Sequence, residues 1–101
     1  MATTTKALFR GAATTNTATT LYTVPSSTTT VVSNIAVTNT GSSSRTFALA
    51  LGGVSLHNTS TLAANSTAYI DLKQVLATTN TITGGASATD VNFHISGVEI
   101  S

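Results

Sequence analysis

The amino-acid sequence predicts one all-β domain, a sandwich of about eight short antiparallel strands with Greek-key or jelly-roll character. Only 7% of the 101 residues are Asp, Glu, Lys or Arg, against roughly 25% in an ordinary soluble domain. Threonine and serine stand in for the missing charge, and β-branched threonine suits a pleated surface. Hydrophobic residues still make up 41% of the chain, which supports a core. From Ala18 onward, apolar and polar residues alternate with period two in short runs separated by turn residues.

Residues 1–17 are small and polar, with Leu8-Phe9 as the one apolar pair. They predict an extended N-terminal arm outside a sandwich of residues 18–101. Leu8 and Phe9 would anchor the arm on a partner, with Arg10 and Arg45 as the cations expected at a partner surface. Seventeen extended residues reach roughly 55 Å, enough to cross onto a neighbouring subunit.

Leu21 to Val24 reads as a short strand stopped by Pro25, which has no N–H for a ladder. Thr30 to Thr38 is the clearest strand, with Val31, Ser33, Ile35 and Val37 on one face. A loop over 39–44 follows, then Arg45 to Leu51, with Phe47, Leu49 and Leu51 opposite alanines. Gly52-Gly53 marks a turn, and Val54 and Leu56 line a strand ending at His57-Asn58. Leu62 to Ser66 reads as a corner, and Thr67 to Leu72 alternates again. Lys73 to Leu76 suggests a single helical turn, and Thr79 to Thr83 a strand turned by Gly84-Gly85. In the last run Val91, Phe93 and Ile95 share one parity while Val98 and Ile100 share the other, which predicts a β-bulge at Ser96-Gly97.

The same residues argue against several functions. The cations are four, Lys6, Arg10, Arg45 and Lys73, and the net charge is +1. They form no cluster of the kind that gathers phosphates, so no nucleic-acid partner is expected. No run approaches the roughly 20 apolar residues of a membrane helix, and no export leader is evident, so synthesis in a cytoplasm and no membrane partner are expected. Without cysteine there is no thiolate metal site. Asp90, Asn92 and His94 share a strand face, yet the first and last lie roughly 13 Å apart along it, too far to hold one metal. Ser and Thr abound without a G-x-S-x-G elbow, and no H-E-x-x-H occurs. No enzyme activity, cofactor or small-molecule substrate is expected. Sugar platforms need exposed aromatic faces, and only Tyr22 and Tyr69 could supply one.

Leu21-Tyr22-Thr23-Val24-Pro25, then Thr28, Val31-Val32-Ser33 and Ile35 to Asn39, resembles a recurring segment of small virion proteins of tailed bacteriophages. The closing run from Asp90 to Ile100 looks like their C-terminal strand. Ser27 departs from the glycine often found two residues after the proline. The resemblance covers Leu21 to the C-terminus and implies a non-enzymatic structural protein of the particle. It implies a capsid decoration (cement) protein at the virion surface, clamping the major capsid protein and associating with itself, as a trimer at three-fold positions. A tail, neck or baseplate component is the alternative within that class, and a glycan- or receptor-binding module is the alternative outside it.

Overall fold

The computed structural model of this protein describes residues 2–101. Eight strands follow in order: β1 Thr3–Ala12, β2 Thr20–Thr23, β3 Thr29–Asn39, β4 Arg45–Leu51, β5 Val54–Leu62, β6 Ser66–Leu76, β7 Thr81–Ala86 and β8 Val91–Ile100. They form two four-stranded sheets, β1-β8-β3-β6 and β2-β7-β4-β5, packed as a sandwich. Every pairing is antiparallel. Strand 1 pairs with 8, 2 with 7, 3 with 6 and 4 with 5. Four nested pairs make one long hairpin rolled onto itself, which is the jelly roll.

The alternation seen in the sequence sorts residues between the core and the outer faces. Val32, Ile35, Val37, Val91, Phe93 and Ile95 face inward from one sheet, and Phe47, Leu49, Ile82 and Ala86 from the other, all buried. Phe47 and Phe93 meet edge to face with centroids 6.5 Å apart, a favoured aromatic geometry. The turn at Gly52-Gly53 has φ of 59° and 82°, the positive pair that a two-residue hairpin needs.

The extended arm expected over residues 1–17 is not present among the described residues; Met1 lies outside them. Residues 3–12 form strand β1, paired along β8 from Thr3↔Ile100 to Ala12↔Asn92. Ala2 and Ser101 close the ladder through two backbone hydrogen bonds of 2.8 and 2.9 Å. The small polar residues looked unstructured because an edge strand with one solvated face needs few apolar side chains. Leu8 is the one fully buried side chain of β1, at 7% exposure, and Phe9 packs half-buried against the core.

Three other expectations are corrected. The bulge is not in β8. Its neighbours carry the extra residues, Ser33 on β3 and Leu8 on β1, opposite the Ile95–Gly97 stretch. The parity of β8 continues through Gly97, which is buried. An added Cβ there would meet the Val31 carbonyl oxygen, with Leu8 Cδ1 at 3.0 Å. Leu8 fills the space a side chain would take, so the apolar pattern breaks while the strand does not. Gly84 and Gly85 lie inside β7. A Cβ at Gly84 would be 2.6 Å from the Ala48 carbonyl oxygen, and one at Gly85 would be 2.9 Å from that of Thr14. Close backbone approach, not a turn, explains that pair. Lys73 to Leu76 is the end of β6, not a helical turn, because pairing with Thr30 to Val32 on β3 outweighs four residues' helical preference.

Candidate interaction surface

The loops gather at the two ends of the sandwich. At one end lie the β1–β2, β3–β4, β5–β6 and β7–β8 connections. There Asn39 is fully buried. Its Nδ2 donates to the carbonyl oxygens of Ser43 (2.8 Å), Leu62 (3.2 Å) and Ala63 (3.3 Å). Its Oδ1 accepts from the Gly41 amide at 2.9 Å. One side chain thus joins the β3–β4 loop to the Leu62–Ser66 corner. Beside it, Arg45 Nε and Nη2 grip the Asp90 carboxylate at 3.1 to 3.3 Å. The Asp90 carbonyl in turn accepts from the Thr40 amide and hydroxyl.

At the other end lie the chain termini and the remaining connections. Thr28 and Thr78 bind each other there, the amide and carbonyl of one to the hydroxyl of the other, at 3.2 and 2.8 Å. Tyr22, on β2, reaches across the sandwich and donates its hydroxyl proton to Glu99 of β8. The phenol has one proton, so the buried Thr30 hydroxyl, 2.9 Å away, donates to the phenolic oxygen. Lys6 Nζ stands 3.4 Å from Glu99. Burial raises the Tyr22 pKa above its ordinary value, and the hydrogen bond to Glu99 adds to the rise.

The outer faces of the two sheets differ in what they offer a partner. On the β2-β7-β4-β5 sheet the outward positions include Thr20, Thr83, Ala50 and Ser55 in register and Thr46 beside Thr61, while the β1–β2 loop covers Gly85. Nothing larger than threonine stands among these. The β1-β8-β3-β6 sheet carries longer side chains in transverse rows: Arg10, His94, Ala36 and Tyr69, then Ala7, Ser96, Asn34 and Asp71, then Thr5, Val98, Val31 and Val75. The large hydrophobic residues exposed at the surface are Val54 (72%), Leu56 (37%), Tyr69 (74%) and Val75 (66%). All four lie on β5 or β6, the two edge strands on one side of the sandwich.

The residues singled out from sequence are scattered through this framework. Leu8 is part of the core and Phe9 packs against it. Arg10 is exposed on the sheet face, and Arg45 is committed to Asp90 at the loop end. Asp90, Asn92 and His94 do not act together, since Asp90 turns to Arg45 while Asn92 and His94 stand on the outer face. Among the described residues, no three His, Asp or Glu side chains come close enough to share a metal, and no pocket opens. Tyr22 is turned inward, leaving Tyr69 as an aromatic face open to solvent. The Asn39 anchor and the Tyr22–Glu99 bridge were not foreseen as such. Both depend on residues far apart in sequence, and only the strand-ending position of Asn39 hinted at a role.

No protein-family profile matches the chain, and neither does any curated protein.

Proposed function

We propose that this protein is a non-enzymatic structural component of a tailed-phage particle, a capsid decoration protein that binds the major capsid protein on the outside of the head and associates with itself. The observation that carries the reading is the jelly-roll strand order, 1-8-3-6 over 2-7-4-5. That architecture recurs in virus shells, in lectins and in cupins. The last two rely on a sugar platform or on a ligand cavity lined by clustered side chains. The features nearest to either here are Tyr69 on a flat sheet face and Asp90 already bound by Arg45. A charge-poor surface with a one-sided set of exposed hydrophobic residues suits a protein that works in contact with other copies and with a lattice. With residues 3–12 built into the sheet, attachment falls to the folded surface. The row Arg10, His94 and Tyr69 is the part of it best able to reach a partner.

Immunogold electron microscopy of purified source particles, with antibody against this chain, tests the reading. Gold spread over the heads is expected. Gold confined to the tail or neck would replace decoration with a tail role. Intact particles free of gold, with denatured particles also negative on blotting, would overturn the virion assignment.

A further inference from the structure

Strand β6 is the edge of its sheet, paired with β3 on one side and open on the other. It is eleven residues long. Tyr69, Asp71 and Val75 stand opposite Ala36, Asn34 and Val31 on the outer face, and Lys73 is exposed between Asp71 and Val75. The pairing with β3 shifts register where Leu72 and Lys73 face Ser33. An open edge of that length invites another strand. The order of these four side chains specifies which strand fits.

We infer that the partner is a second copy of this chain, with the two β6 strands running antiparallel about a two-fold axis through Leu72. In that register Asp71 of each copy lies opposite Lys73 of the other, and Tyr69 lies opposite Val75. Opposite charges and aromatic–β-branched pairs are the cross-strand neighbours that stabilise an antiparallel ladder. On the inner face Leu72, half-buried in one copy, meets its own counterpart. Moving the axis by one residue destroys the match. An axis through Asp71 sets two carboxylates face to face, and an axis through Lys73 sets two ammonium groups face to face. An axis between residues places outward side chains against inward ones. A single register therefore satisfies both the charges and the faces.

The overall charge permits the association. Two copies carry only +1 each, so little long-range repulsion opposes them. Val54 and Leu56 on the adjacent edge β5 lie on the same side of the sandwich and extend the apolar surface that the contact would cover. The result is an eight-stranded sheet running through a dimer, in place of the trimer that the resemblance implies. The inference goes beyond the virion reading and does not rest on it.

Charge exchange tests it, with molar mass measured by sedimentation equilibrium and folding checked by circular dichroism. The wild type is expected to be a dimer at micromolar concentrations. Asp71→Lys and Lys73→Asp, each alone, set like charges opposite and should weaken self-association by roughly tenfold or more. Mixing the two variants should restore a dimer, and so should both substitutions in one chain. A monomeric or trimeric wild type would overturn the inference. So would a dimer indifferent to the single substitutions, or single variants that fold as monomers and do not recombine when mixed.

Discussion

The two ends of the sandwich are closed by different chemistry. At the loop end a neutral amide, Asn39, itself without exposure to solvent, makes four hydrogen bonds to backbone groups of two segments. At the terminal end a phenol, a carboxylate and an ammonium group, from Tyr22, Glu99 and Lys6, join β2 to β8 and β1. An amide keeps its donors and acceptors at every pH, whereas the Tyr22 network depends on where its proton lies. The same architecture thus has one end insensitive to pH at Asn39 and one end sensitive to it at Tyr22. The loop end has more to lose from a single deletion, because one side chain there makes four hydrogen bonds.

The largest expected effect follows from that contrast. Asn39→Ala deletes four hydrogen bonds to backbone groups, of which the Ala63 carbonyl oxygen keeps a second donor in Ser66 Oγ, and should cost about 3 kcal/mol. Urea denaturation checks it, and a cost below 1 kcal/mol, about that of one ordinary hydrogen bond, would break the comparison. Gly85→Ala comes next. Its Cβ would press on the carbonyl oxygens of Asn16 and Thr14, so the β1–β2 loop must shift at a cost of about 1–3 kcal/mol. Hydrogen exchange should report faster opening of the Ala86 amide, which donates to Thr14.

At the terminal end, Tyr22→Phe should cost about 1–2 kcal/mol near neutral pH, since Glu99 and Thr30 lose a partner. The pH dependence sharpens the contrast. A raised Tyr22 pKa means that the folded state holds the phenolic proton more tightly than the unfolded state does. The resulting stabilisation is complete below the ordinary tyrosine pKa of about 10 and is lost as pH rises through the raised value. Thermal melts into the alkaline range should therefore fall more steeply for the wild type than for Tyr22→Phe. Parallel curves would remove the claim of a pH-sensitive end. The smallest effect belongs to Arg45→Ala. The pair with Asp90 is part-exposed, and solvent screening holds its worth to about 1 kcal/mol or less. A small downward shift in melting temperature, diminishing further in high salt, is expected.

Much of the core was legible in advance. Val91, Phe93 and Ile95, and Phe47 with Leu49, alternate so plainly that their inward orientation needed no tertiary information. Val31 illustrates the limit. In the period-two pattern it groups with Ile35 and Val37, yet the extra residue at Ser33 places it on the outer face opposite Val98. The polar segment 3–12 and the glycines of β7 misled for a related reason. One segment's place is set by the β8 ladder, the others' by a neighbouring carbonyl oxygen. The β6 edge was half legible, because the alternation Tyr69, Asp71, Lys73, Val75 is present in the sequence. The helical preference of Lys73 to Leu76 masks its second half.

Local chemistry alone determined that this chain would be all-β. β-branched residues, period-two patterning and turn residues at short intervals act over a few neighbours and are readable there. Tertiary structure decided which strands became edges, where the bulges fell and which polar groups met across the sandwich. Those outcomes depend on contacts between residues such as Tyr22 and Glu99, or Leu8 and Gly97, that lie far apart along the chain. Loop closure brings them together, and no local pattern records it.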